Sequence, residues 1–155
     1  MSKIVLSIVF FLASIFSFAQ SKKAKVDTIP ASMPLTFATY WGPVATGNAL
    51  AAQIAAIAPA AILVRDNAGK LYPVNAFRIN YKFKSTYRDD ESGQTKSMND
   101  LRVGDFNNTA QLSQVWAESI KDNVKPGDTI LFNQVLFRNV KGKLQLAPAL
   151  KIVVR

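Results

Sequence analysis

The chain of 155 residues contains no cysteine and no histidine, and its seven glycines are scattered singly. The first absence excludes disulfide scaffolds, thiol enzymes and lipid attachment at a cysteine. The second, together with the first, excludes Cys/His zinc sites and any mechanism that relies on a histidine base. Without clustered glycines there is no phosphate-cradling loop, and Ser-x-x-Lys is missing beyond the first twenty residues. What is abundant is apolar residues, 49% of the chain, which is too many for wholesale disorder and enough for one compact domain.

Met1 to Ala19 has the three parts of a secretory signal: Lys3, an apolar run from Ile4 to Phe18, and the small residue Ala19 before Gln20. Cleavage there yields an exported protein, periplasmic or, alternatively, secreted, with no transmembrane anchor. It also lowers the formal charge from +9 to +8. Residues 120 to 155 hold most of that excess, in Lys121, Lys125, Arg138, Lys141, Lys143, Lys151 and Arg155. These lie mostly in turns and at strand ends, where solvated charge is ordinarily placed. None of the common nucleic-acid-binding signatures is present, so no nucleic-acid partner is expected.

From Gln20 to Ser32 the sequence is polar and basic without periodicity, and it reads as a flexible leader. The single domain is expected over residues 33–155. Pro34–Tyr40 suits a strand, ended by Trp41-Gly42-Pro43; Asn48–Ala58 suits a helix capped by Thr46 or Asn48. Ala61–Arg65 reads as a strand. Ala76–Tyr87 is the clearest one, with Phe77, Ile79, Tyr81 and Phe83 alternating against Arg78, Asn80, Lys82 and Lys84. Asp89-Asp90-Glu91-Ser92-Gly93 is then a loop tip, its charge balanced by Lys82, Lys84 and Arg88, and Met98–Val103 is a weak strand or coil. Asn108-Thr109 opens a helix whose inner face is Leu112, Val115, Trp116 and Ile120, and the Asn107-Asn108-Thr109 sequon is read as its cap. Thr129–Phe137 is apolar on both faces, as a central strand would be. Asn139–Lys143 closes a hairpin, and Leu144–Val154 is a last strand dented at Pro148. The sum is a mainly antiparallel β domain with two short helices.

The acidic run at Asp89 lacks the alternate spacing of a calcium loop, and no metal or cofactor is expected. Trp41 beside Gly42-Pro43 is the most exposed aromatic candidate, whereas Trp116 and Tyr81 belong to apolar faces. A concave cluster of Trp41, Tyr72 or Tyr87 with Asp100 or Asp105 is what a small secreted hydrolase or glycan-binding protein would require.

Three blocks carry a resemblance. They are the alternating strand Phe77 to Phe83, the amphipathic segment Leu112 to Ile120, and a closing series: Lys125-Pro126-Gly127-Asp128-Thr129-Ile130-Leu131-Phe132, Asn139-Val140-Lys141-Gly142-Lys143 and Pro148 to Val154. In this order they resemble the C-terminal domain of the gliding-motility and type IX secretion protein GldM, over roughly residues 40 to 155. The resemblance implies an immunoglobulin-like β-sandwich and a non-enzymatic docking module whose partners are envelope proteins, secretion-ring components among them. It differs from GldM in showing a signal sequence and one domain instead of a membrane helix and several periplasmic domains, so transmission of force from the inner membrane is not implied. The expected partner surface is Arg78, Lys82 and Lys84 with Arg138, Lys141 and Lys143 of the hairpin.

Overall fold

The computed structural model describes residues 35–155. The signal sequence and basic leader lie outside the described residues. Eight strands and two helices follow one another: β1 (Phe37–Trp41), β2 (Gly47–Ala49), α1 (Ala51–Ile57), β3 (Ile62–Asp66), β4 (Leu71–Arg88), β5 (Thr95–Asn107), α2 (Gln114–Asn123), β6 (Thr129–Arg138), β7 (Leu144–Leu146) and β8 (Leu150–Val154). The domain is mainly β. The strands form one open, curled sheet in the order β1-β3-β4-β6-β8-β2, with β5 paired to β4 and β7 to β6. All pairings are antiparallel except that of β2 with β8.

β4 organises the sheet because it is 18 residues long and serves two neighbours along one edge: β3 pairs with Leu71–Pro73, and β5 with Ala76–Arg88. β6 takes the other edge from Val74 to Lys82, and beyond Lys82 only β5 accompanies β4. The apolar face of each central strand changes parity once. In β4 the buried residues are Tyr72 and Val74, then Phe77, Ile79 and Tyr81; in β6 they are Ile130 and Phe132, then Val135 and Phe137. The register shifts between Val74 and Ala76 and between Ala76 and Arg78 supply the odd residues, and Gln134 takes φ 49° at the second. Both strands therefore bulge where the sheet bends, and each keeps its large side chains on the inner face. The apparent two-sided apolarity of Thr129–Phe137 is this switch of parity in a strand that is indeed central.

The bend carries β1 over β6 and β8. Trp41 meets the Phe132 ring edge-on at 5.1 Å, Phe37 contacts Phe137 at 4.9 Å, and the Thr39 hydroxyl donates to the Pro148 carbonyl. Trp41 is fully buried and donates its indole N–H to the Ala60 carbonyl at 3.1 Å, so it is core and not the exposed aromatic expected of it. Each such side chain adds ~1.5–3 kcal/mol by leaving water.

Several boundaries differ from the expected ones for identifiable reasons. Asn48 belongs to β2, opposite Val153, so α1 starts after Leu50 and has no side-chain cap. α2 starts at Gln114, six residues after Asn108, which adopts φ 57° and turns the chain, while Thr109 closes a local turn with Gln111. The sequon is thus a turn, not a helix cap. Leu112 packs inward ahead of the helix, Ala117 and Ile120 are buried within it, and Val115 is exposed. Pro148 divides the last strand into β7 and β8, which pair with successive stretches of the same edge of β6.

Two buried carboxylates fix turns. Asp128 accepts from the Tyr81 hydroxyl at 2.7 Å and from the Lys125 amide at 2.9 Å, and burial pushes the Tyr81 phenol up, with Asp128 adding to the shift. Asp66 accepts from the amides of Lys70 and Ala68, at 2.8 and 3.0 Å, and from the Tyr72 hydroxyl at 2.9 Å. Burial pushes its carboxyl up, but these bonds and the nearby Lys70 charge outweigh that and hold it below the usual carboxylate value.

Gly104 of β5 faces Trp116 of α2. A Cβ there would lie 2.8 Å from Cζ2 of Trp116 and 3.0 Å from Cε2 of Phe106. Gly104→Ala is expected to cost ~1–3 kcal/mol through overpacking. Urea unfolding measures this, and a shift of Trp116 emission reports the displacement. Because the Asp66 pKa is depressed on folding, its contribution is complete above the unfolded value of ~3.9 and is lost as pH falls through the folded value. Urea midpoints measured between pH 5 and 2 should fall less steeply for Asp66→Asn than for the parent, from a lower starting point.

Candidate interaction surface

Alternation along β4 turns Arg78, Asn80, Lys82 and Lys84 away from the core, and the register of the neighbouring strands extends this outer face row by row. One row runs Leu101, Lys82, Thr129, Val153, Asn48; the next runs Val103, Asn80, Leu131, Lys151; a third runs Asp105, Arg78, Asn133. Lys84 stands opposite Asn99. Leu101 and Val103, 62% and 50% exposed, give the face an apolar strip beside its cations. A signal for Lys151 was present in the alternation of Leu150, Ile152 and Val154, but its approach to the β4 lysines depends on β8 lying beside β6.

The charges of the face are unequal. Arg78, Lys82, Lys84 and Lys151 are opposed there by Asp105 alone, which Arg78 clamps with Nε to Oδ1 at 2.6 Å and Nη2 to Oδ2 at 2.9 Å. Hydrogen bonding to Arg78 holds the Asp105 carboxyl low, and the same bonds raise the guanidinium. Both groups are solvated, so the pair orders side chains more than it stabilises the fold. Lys82, Lys84 and Lys151 have no carboxylate within ion-pair distance among the described residues.

The hairpin cations form a second, separate group. Asn139 Oδ1 accepts from the amides of Lys141 and Lys143, at 2.9 and 3.0 Å, and Arg138 donates to the Gly142 carbonyl, so the turn is tied internally; its two lysines are exposed. Phe137 pairs with Val74, eight positions along β4 from Lys82. At ~3.3 Å per residue this is ~25 Å of strand, and the bulges lie between the two groups. The six expected residues therefore form two patches. At the β4–β5 tip Asp89 is paired with Lys96 at 2.6 Å, not with Lys82, Lys84 or Arg88, and this bond together with that from Ser92 holds its carboxyl low.

On the inner side a cleft of about 370 Å³ separates the β4–β5 hairpin from the end of α2, with Arg102, Phe83, Lys125, Ser119 and Asn123 on its walls. Arg102 spans it, donating to Ser119 Oγ at 2.6 Å and lying 5.4 Å from the Trp116 ring centre. Arg102 escaped the sequence reading because β5 was expected to be weak.

The residues of the hydrolytic or glycan-binding constellation are dispersed. Trp41 and Tyr72 are in the core, Tyr87 is on the hairpin opposite Lys96, Asp105 is clamped by Arg78 on the outer face, and Asp100 is on the inner face opposite Phe83. Among the described residues no helix is long and apolar enough to cross a membrane. No family model matches the chain, and no curated protein is similar to it.

Proposed function

We propose that this protein is a non-enzymatic, exported interaction module that docks on an envelope protein, and that it is related to the C-terminal domain of GldM. The observation that carries the reading is the outer face of the sheet, where Arg78, Lys82, Lys84 and Lys151 lie to one side of exposed Leu101 and Val103 with one carboxylate among them. Such a face steers an acidic partner by its field and holds it by apolar contact. The curling of β1 over β6 and β8 supports the finer reading of the fold as an immunoglobulin-like sandwich. The blocks from Phe77 to Phe83 and from Lys125 to Val154 support the relation to the secretion machinery, and the Met1–Ala19 signal supports a periplasmic or secreted location.

The test is recovery of partners from envelope extract, with a salt wash that screens loose electrostatic binding beyond ~8 Å. The parent protein is expected to retain secretion-ring components. Reversal at Lys82→Glu with Lys84→Glu should weaken the recovered interaction at least ~tenfold, equivalent to ~1.4 kcal/mol. The equal charge change at Lys141→Glu with Lys143→Glu should matter less, since that patch is remote from the apolar strip. Recovery of no envelope protein by the folded parent, or equal retention by both reversals, overturns the proposal.

A further inference from the structure

β5 is the long exposed edge of this sheet. It runs 13 residues, pairs with β4 without a register shift from Ala76↔Asn107 to Arg88↔Thr95, and has β4 as its single strand neighbour. The other edges are shorter: five residues in β1, three each in β2 and β7, and residues 83–88 of β4, beyond its pairing with β6. Natural sheets blunt such edges with prolines, bulges or strand shortening, because unpaired amides and carbonyls recruit another strand. β5 has no proline, bulge or shortening; its charges, the other device of natural edges, are Lys96, Asp100, Arg102 and Asp105, and Met98, Leu101 and Val103 are exposed along it.

The sequence of the edge is complementary to itself. Leu101 is the midpoint of Thr95–Asn107, so a two-fold axis there aligns all thirteen residues of two antiparallel copies. In that register Asp100 lies opposite Arg102 of the second copy, Arg102 opposite its Asp100, and Leu101 opposite Leu101. Lys96 then faces Phe106 and Asp105 faces Ser97, so no like charges meet. Centring the axis at Asp100 or Arg102 instead places a charge against itself, which is unfavourable across a strand pair. Asp100 and Arg102 have no ion-pair partner among the described residues of their own chain, although they share one face of the strand.

From the length of this edge and its charge order we infer that the protein dimerises through β5, joining two sheets into one across a two-fold axis at Leu101. The outer basic faces then lie side by side and remain open, so the inference is independent of the docking proposal above.

Sedimentation equilibrium of the purified protein tests it. The parent should be dimeric. Asp100→Lys and Arg102→Glu should each raise the dimer dissociation constant roughly tenfold or more, because each places like charges opposite one another twice. Mixing the two variants should restore dimers, since in the mixed pair the introduced lysine would face the introduced glutamate, and the unchanged Arg102 of one copy would face the unchanged Asp100 of the other. If Arg102→Glu proves unfolded by circular dichroism, Leu101→Cys decides: it places the chain's sole thiol on the axis and should oxidise to a covalent dimer, whereas Ser97→Cys should not. A parent that stays monomeric up to ~1 mM, or a dimer indifferent to Asp100→Lys, overturns the inference.

Discussion

The matched bulges of β4 and β6 are the constraint on which this fold depends. An extended strand that turns its large residues to one face can only keep doing so while its period stays at two. Here the sheet bends sharply between Val74 and Arg78, and both strands insert odd residues at that point. Had one strand alone done so, either Phe77, Ile79 and Tyr81 or Ile130 and Phe132 would face water. Because both do, Trp41 and Phe37 from β1 find Phe132 and Phe137 beneath them, and the core continues through the bend.

The same bend explains how far the sequence could be read. The strict alternation of Phe77 to Phe83 identified β4, yet the period fails at Asn75-Ala76, so the strand was expected to begin where in truth it bulges. In β6 the parity change at Asn133-Gln134 puts apolar residues on both faces of a strict alternation, and so concealed itself. The helix starts were misplaced because Asn48 and Asn108 have the right chemistry for caps but answer to longer-range demands, one to pairing with Val153 and the other to a left-handed turn. β5 looked weak because one face is wet along its length and the other is buried only near α2, leaving little hydrophobic signal for a strand that backbone pairing sustains.

The candidate surface was legible to the same degree. Lys82 and Lys84 followed from alternation. Their distance from Arg138, Lys141 and Lys143 did not, because it is set by which end of β4 receives the end of β6. The addition of Lys151 likewise needed the order β4-β6-β8. The buried carboxylates went unnoticed as structural groups, since Asp66 and Asp128 resemble ordinary turn residues until Tyr72 and Tyr81 are seen bonded to them.

The parallel pairing of β2 with β8 brings Gly47 beside Ile152, and the Arg155 amide donates to the Ala49 carbonyl. This joins segments from opposite ends of the folded region, and local hairpins cannot substitute for it. A chain emerging from the ribosome, N-terminus first, can form β3, β4 and β5, but it must wait for residues 150–155 before β2 acquires its strand neighbour and the sheet is complete. Until then the interior of the sheet is open along one side. Completion of the fold is therefore tied to residues 150–155: until they emerge, the sheet lacks the strand that links β6 to β2.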